Sequence, residues 1–173
     1  MNIEITVNGT ARTVDAEPLE PLLHVLREDL DVTSPKAACQ QGGCGACTVI
    51  VDGQPRRSCL LPVEAANGSE IRTIEGLAPA GGELTPIQQA WIHHYAAQCG
   101  FCASGFVMAA TAYLENGGTD DRDAIVAALS GHHCRCTGYV KIIDAIQAAA
   151  RGESFDLEAT AAGSNTTIKG VER

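Results

Sequence analysis

Long apolar runs, basic residues and aromatic side chains are all scarce in this 173-residue sequence. No stretch approaches the about 20 apolar residues of a membrane span, and Met1–Ile5 lacks the basic and apolar regions of a secretory signal. With 12 basic against 21 acidic residues, the net charge of -9 disfavours nucleic acid and anionic membranes as partners. An aromatic fraction of 4% leaves no stacking surface for bases. These scarcities predict a cytoplasmic protein without a membrane span, which docks on other proteins.

Cysteine, by contrast, is plentiful, with eight residues. Four disulfides are a poor explanation in a chain without an export signal, because cytosolic reductants keep ordinary thiols reduced. The apolar fraction of 45% is that of a globular protein with a packed core. Metal ligation is the better interpretation.

The first half of the chain alternates apolar and polar residues around two turn signals, Asn8-Gly9 and Asp52-Gly53. Between the hairpins they predict, leucines recur at the spacing of one helical face. The predicted elements are strands at 3–7, 11–14, 48–51, 56–61 and 71–74 and a helix from 19 to 30. Strands crossing one helix indicate a small α+β domain.

The composition changes near Gly81-Gly82, which indicates a linker. Thr85 is a suitable helix cap with Pro86 at the first helical position, and alanine-rich patterns interrupted by glycine follow. The predicted helices are 86–97, 104–115, 120–130 and 139–151, enough for a compact bundle. The predicted domains are therefore 1–78 and 83–152, followed by a polar tail at 153–173. We expect this tail to be loose unless it lies on a partner.

The first four cysteines have the spacing C-x4-C-x2-C with a distant fourth cysteine, which is the plant-type [2Fe-2S] pattern. Gly42, Gly43 and Gly45 favour the same interpretation, because a loop around an inorganic cluster needs positive φ values and N–H groups aimed at sulfur. The ligands predicted for this cluster are Cys39, Cys44, Cys47 and Cys59.

The last four cysteines form a C-x2-C pair and, about thirty residues later, a C-x-C pair. Both pairs fall at predicted helix ends, where a helix N-terminus stabilises thiolate charge. Two structural zinc sites are the alternative for the eight cysteines, since zinc also accepts four thiolates. However, neither set of cysteines shows the paired C-x2-C knuckles that are usual for zinc. The predicted ligands of this second site are Cys99, Cys102, Cys134 and Cys136.

Five motifs follow one another in order, and the likeness that they carry covers roughly residues 1–151. They are C-Q-Q-G-G-C-G-A-C-T-V from Cys39, S-C at 58–59, T-I-E-G-L at 73–77, Q-C-G-F-C from Gln98 and C-R-C-T-G-Y from Cys134. In these motifs the chain resembles the small iron–sulfur subunits of molybdenum hydroxylases, a family related to xanthine dehydrogenase, aldehyde oxidoreductase and carbon monoxide dehydrogenase.

The resemblance implies an α+β fold, with an N-terminal β-grasp domain like plant ferredoxins followed by a C-terminal four-helix bundle, each holding one [2Fe-2S] cluster. It implies an electron-transfer subunit that relays single electrons from the molybdenum centre of a large subunit to a flavin or other acceptor. Substrate chemistry would then occur on the partner, and a medium subunit often carries the FAD. By the same likeness Gln98 and Cys136 approach the molybdopterin cofactor, Cys136 being a cluster ligand as well.

Two histidine pairs, His93-His94 and His132-His133, raise the alternative of histidine ligation. Adjacent histidines on a helix point about 100° apart, and a Rieske site would need two cysteines replaced, so we expect neither pair to bind metal. His132 and His133 stand where the family usually has Asn-Leu, and they are candidates for tuning the second cluster.

A free-standing ferredoxin-like carrier, which would purify alone, is the alternative function.

Overall fold

The computed structural model describes residues 1–78, 81–158 and 160. Its strands are β1 (Asn2–Val7), β2 (Thr10–Asp15), β3 (Thr48–Val51), β4 (Gln54–Arg57) and β5 (Glu70–Arg72). They form one mixed sheet in the order β2-β1-β5-β3-β4. Only the pairing of β1 with β5 is parallel, while the other neighbouring strands run antiparallel.

Both predicted hairpins form at the predicted turns. Asn8 and Gly9, between β1 and β2, have φ values of 50° and 76°. Asp52 and Gly53, between β3 and β4, have φ values of 49° and 78°. Two successive residues with positive φ make a turn whose twist matches the twist of the flanking strands. The short Asn-Gly and Asp-Gly signals therefore predicted the turns correctly.

The helix predicted over 19–30 is shorter in the structure. Helix α1 covers Leu22–His24 and continues as a π-helical segment over Val25–Asp29. Pro21 is extended at its start, which leaves Leu19 outside the helix and 80% exposed. Asp31, with a φ of 56°, follows its end. The leucine spacing predicted the buried face of the segment but not where it begins.

Four helices follow in the second half of the chain. They are α2 (Pro86–His93), α3 (Ala103–Glu115), α4 (Arg122–Ala128) and α5 (Val140–Ala150). One hydrophobic cluster joins them, with Trp91, Phe106, Ile125 and Ile146 each contributed by a different helix. Helix α2 ends before residue 97 because Tyr95 adopts a φ of 51°, which a helix does not allow. The fold is α+β, as the sequence predicts.

Two predicted strands are also shorter. Strand β4 ends at Arg57, so Cys59 lies in the turn after the hairpin rather than on it. Strand β5 ends at Arg72, and Ile74–Gly76 forms a 3-10 turn. Pro55 is tolerated within β4 because β4 is the outer strand of the sheet.

The sheet packs on the helices through β3 and α3. Ile50 of β3 forms a small buried cluster with Met108 and Ala112 of α3. Beside it, both terminal nitrogens of the Arg72 guanidinium donate to the Glu115 carboxylate. These contacts dock the middle and the C-terminal end of α3 on the sheet. Within the described ranges, no helix is both long and apolar enough to cross a membrane.

The first residues of the predicted tail pack on their own chain. The Phe155 ring stacks on the His93 ring with centroids 4.4 Å apart. The Tyr95 hydroxyl donates to the Thr160 carbonyl at 3.1 Å, and His93 Nδ1 lies 2.9 Å from the Thr160 hydroxyl. This part of the tail thus covers the end of α2, while the expectation for 161–173 lies outside the described residues.

Replacing Phe155 with alanine should lower the free energy of unfolding by at least about 1 kcal/mol, because the stacked aromatic pair contributes about that much beyond the buried area, which is lost as well. Chemical denaturation of the full chain measures this change. Phe155→Leu is the matched control, since it keeps apolar area without the ring. Equal stability of Phe155→Ala and the parent protein would contradict a tail that stabilises the end of α2.

Candidate metal centres

The first four cysteines lie in the long loop between α1 and β3 and in the turn after β4. The Cys39 and Cys44 thiols lie close enough for Cys44 to contribute to lowering the pKa of Cys39, and Cys47 lies close enough to Cys59 to contribute to raising its pKa. Cys47 and Cys59 are buried and pack with Leu23 of α1. The loop therefore presents its sulfurs as two pairs, one half-exposed and one buried.

The two pairs differ in how readily they lose protons. The Gln41 backbone N–H donates to Cys39 Sγ at 3.4 Å, and this bond is the main cause that lowers the pKa of Cys39 to about 7. Burial raises the pKa of Cys59 to about 11. Binding of a metal must therefore displace a proton from Cys59, since the thiolate is the ligand form.

The backbone of this loop is shaped by residues with positive φ. Gly42 and Gly45 both have a φ of 75°, in agreement with the expectation from the sequence. Gly43 lies outside the positive-φ region, and Gln40, with a φ of 54°, takes this conformation instead. Sequence reasoning missed Gln40, because a glutamine carries no composition signal for a left-handed backbone.

The second four cysteines come together from two loops. Cys99 lies between α2 and α3, and Cys102 directly precedes α3. Cys136 Sγ is 3.6 Å from Cys99 Sγ. The Cys102 and Cys134 thiols lie close enough for each to shift the pKa of the other. Two thiolates on one tetrahedral metal, at bonds of about 2.3 Å, lie about 3.8 Å apart, so the separation of Cys99 and Cys136 suits a shared ion.

Burial, reinforced by the neighbouring Cys134 thiol, raises the pKa of Cys102 to about 12. Burial acts in the same direction on Cys134, but it is outweighed by hydrogen bonds from Thr137 and from the Cys136 backbone, which lower the pKa of Cys134. The Thr137 hydroxyl donates to Cys134 Sγ at 3.1 Å, and the Cys134 backbone N–H donates to the Tyr139 hydroxyl at 3.0 Å. Thr137 and Tyr139 are site residues that the cysteine spacing did not reveal, although they belong to the C-R-C-T-G-Y motif.

The eight sulfurs thus pair two by two in both groups. In the part of the chain that the structure describes, no three His, Cys, Asp or Glu side chains converge on a point as ligands of a single ion. A [2Fe-2S] cluster is held by four cysteine thiolates, two for each of its two irons. The donor set and its pairing fit two such clusters.

The segments that carry the two groups of thiols meet along a seam. Cys44, Gly45 and Thr48 lie on one side of it, and Gly105, His132 and His133 on the other. The His133 backbone N–H donates to the Cys44 carbonyl at 3.0 Å. A Cβ atom added to Gly105 would lie 2.1 Å from the Gly45 carbonyl oxygen. The N-terminal end of α3 is therefore in direct backbone contact with the first cysteine loop.

Two family models match consecutive parts of the chain: a 2Fe-2S iron-sulfur cluster binding domain over residues 5–73 and a [2Fe-2S] binding domain over residues 73–147. The small subunit of nicotine 6-hydroxylase from Paenarthrobacter nicotinovorans is 44% identical over 146 residues, covering 84% of this chain and 87% of that subunit. The iron-sulfur-binding subunit of xanthine dehydrogenase from Escherichia coli O157:H7 is 44% identical over 148 residues, covering 84% and 92%. The chain belongs to the small [2Fe-2S] subunits of the molybdenum hydroxylases.

A solved structure agrees with this family. Quinoline 2-oxidoreductase from Pseudomonas putida 86 contains a chain that is 42% identical, with a TM-score of 0.82. The match covers 89% of this chain and 98% of that one. As an iron–sulfur subunit of an oxidoreductase, the chain serves in electron transfer.

Gln98 and Cys136 lie at the surface of this small subunit. Both are exposed, as is Cys99, whose sulfur touches that of Cys136. Exposed apolar side chains lie close to them in the sequence, among them Tyr95, Phe101 and Val140 at 49%, 49% and 54% exposure. The second cysteine group therefore opens onto a partly apolar surface, while its other pair, Cys102 and Cys134, is half-buried.

The histidine pairs take different positions. His93 and His94 contact Phe155, away from the cysteines. His132 is buried in the seam, where burial and then the positive charge of Arg57 lower its pKa to about 4, so it is neutral near pH 7. His132 thus faces the first cysteine loop, which its position near Cys134 in the sequence did not indicate.

Proposed function

We propose that this small subunit relays single electrons from the molybdenum centre of a large partner subunit, through two [2Fe-2S] clusters, to a flavin or other acceptor. The observation that carries the proposal is the two-by-two pairing of all eight thiols in two groups, whose loops meet at the seam. A two-electron oxidation on the partner is divided into single steps, because each cluster accepts one electron. Cluster assembly would occur in the cytoplasm, where thiols remain reduced.

The proposed ligands divide between two proposed domains. A β-grasp domain, residues 1–78, would hold one cluster, and a four-helix bundle, residues 83–152, the other, followed by the tail at 153–173. The ligands of the first cluster are Cys39, Cys44, Cys47 and Cys59. The ligands of the second are Cys99, Cys102, Cys134 and Cys136.

The electron route within the chain would cross the seam at one hydrogen bond. The His133 N–H donates to the Cys44 carbonyl, and His133 is bonded to Cys134. A ligand of one cluster is therefore connected to a ligand of the other by backbone bonds and a single 3.0 Å contact. This continuity supports transfer between the clusters without a mobile element.

The entry point for electrons would be the surface of Gln98 and Cys136. Exposed apolar side chains around these residues are typical of a surface that a partner covers. We propose that the large subunit docks here and brings its molybdopterin cofactor next to Cys136 and Gln98. A medium FAD subunit would accept electrons from the side of the first cluster.

Low-temperature EPR of the dithionite-reduced protein, paired with iron, acid-labile sulfide and zinc analysis, tests the proposal. We expect two distinct spin-half signals and about four irons and four sulfides per chain. Zinc without sulfide or signal in freshly isolated native protein would contradict it. Co-purification from the native host tests the partners separately, because a chain that purifies alone with both clusters would be a free-standing carrier.

A further inference from the structure

A network of hydrogen bonds made by Arg57 to Thr48, His132 and Gly131, here called the polar knot, lies in the seam. Arg57, in β4, is paired across the sheet with Thr48 of β3. Its Nη1 donates to the Thr48 hydroxyl at 2.6 Å and lies 3.1 Å from His132 Nε2, while its Nη2 donates to the Gly131 carbonyl at 3.2 Å. One guanidinium therefore contacts both halves of the molecule.

Thr48 Oγ1 and His132 Nε2 lie 3.0 Å apart, and Arg57 Nη1 is within hydrogen-bonding distance of both. The Thr48 hydroxyl donates to the Gly45 carbonyl at 2.7 Å, so it is an acceptor toward Arg57. His132 Nδ1 lies 3.3 Å from the Leu129 carbonyl, which assigns the ring proton to Nδ1 and leaves Nε2 to accept from Arg57. Both hydrogens on Arg57 Nη1 thus have acceptors, one on each side of the seam. Lysine could not reproduce this planar fork.

The knot is adjacent to ligands of both proposed clusters. Thr48 follows Cys47, and Arg57 itself is two residues before Cys59. On the other side, His132 is two residues before Cys134. The Arg57 charge is permanent, and no carboxylate in residues 1–78, 81–158 or 160 forms an ion pair with it.

We propose that Arg57 is a positioning residue that ties the two cluster-binding halves together and whose fixed positive charge favours the reduced state of both clusters. The inference rests on the proposed function. Reduction adds one negative charge to a cluster, and a nearby positive charge lowers the free energy of that state. The knot borders an open cleft of about 980 Å³. Water in this cleft screens part of the charge, so we expect a several-fold rather than a thousand-fold effect.

The neighbouring strand residue supplies the matched control. Arg56 carries the same charge but is exposed and pairs with Val49, outside the knot. Redox titration followed by EPR, on the full chain with its clusters, compares Arg57→Gln with Arg56→Gln. At a fixed solution potential, Arg57→Gln should lower the reduced-to-oxidised ratio of both clusters several-fold, whereas Arg56→Gln should change it less than twofold.

Arg57→Lys keeps the positive charge of the side chain but removes the planar guanidinium that contacts both sides of the seam. In Arg57→Lys we expect both clusters to titrate nearly as in the parent protein. We expect the midpoint temperature of unfolding to fall in both Arg57→Lys and Arg57→Gln, and by a similar amount. Equal effects of Arg57→Gln and Arg56→Gln on the two ratios would overturn the role of the charge. A parent-like unfolding temperature in Arg57→Lys would overturn the role of the fork.

If Arg57→Gln retains no iron, Arg57→Lys decides: recovery of both clusters supports the proposal, and loss of iron in this variant too contradicts it. Failure of the proposed function has a separate signature. In that case the parent protein itself would lack two cluster signals, whatever the Arg57 variants do.

Discussion

Cys102→Ala should remove one of the two EPR signals and reduce the iron content from about four to about two atoms per chain. Cys102 pairs with Cys134, and a cluster that loses one of its four thiolates has an iron with an open position. Cys102 is half-buried directly before α3. We therefore expect no other side chain to take its place as a ligand. The first group of thiols is untouched, so the remaining signal should keep its parent line shape.

Cys44→Ala is the reciprocal experiment, because Cys44 belongs to the first group and pairs with Cys39. It should remove the other signal and spare the one that Cys102→Ala removes. Iron and sulfide are measured on the same samples, so loss of a signal through oxidation is distinguished from loss of a cluster. If Cys102→Ala and Cys44→Ala remove the same signal, the division of the eight cysteines into two groups is wrong.

Gly105→Ala should destabilise the protein by about 3 kcal/mol, although alanine is the better helix former. The new Cβ would lie 2.1 Å from the Gly45 carbonyl oxygen and 3.0 Å from Ala46 Cα, and both are backbone atoms that no side-chain rotation can move. Either α3 shifts or the first cysteine loop does. Urea denaturation of the cluster-loaded chain, followed by circular dichroism, measures the loss.

Gly43→Ala is the control in the same loop. A Cβ at Gly43 meets nothing within 4 Å, and its φ lies outside the left-handed region. We expect a change in the free energy of unfolding within about 0.5 kcal/mol. A parent-like stability of Gly105→Ala would mean that the two halves do not touch at this point. The close approach of α3 to the first cysteine loop, beside the His133–Cys44 hydrogen bond of the proposed route, would then be wrong.

The sequence predicted the features that depend on residues close together in the chain, such as turns and the start of a helix. Asn8-Gly9 and Asp52-Gly53 form the predicted turns because two residues with positive φ favour one hairpin geometry. The start of α2 at Pro86 follows from the Thr85 cap, whose N–H donates to the Gln88 side chain. The cysteine spacing predicted the two groups, and the structure brings the members of each group into pairs.

Contacts between distant segments were not predictable. Arg57 and Thr48 read as ordinary strand residues, and nothing in the sequence indicates that they meet His132. Gly105 reads as a weak point in a helix, although its missing side chain allows the first cysteine loop to approach. Such roles depend on how two halves of the chain dock, and this is decided by packing rather than by local propensity.

The outer position of β4 has a consequence for the subunit before assembly. An unpaired edge strand is a template on which another chain can add a strand, and a subunit waiting for its partner is exposed to that risk. Strand β4 has only the residues Gln54–Arg57, and Pro55 offers no N–H to an incoming strand. The exposed charge of Arg56 repels a second copy of the same edge. This edge of the sheet is thereby protected against strand-to-strand aggregation while the subunit remains unassembled.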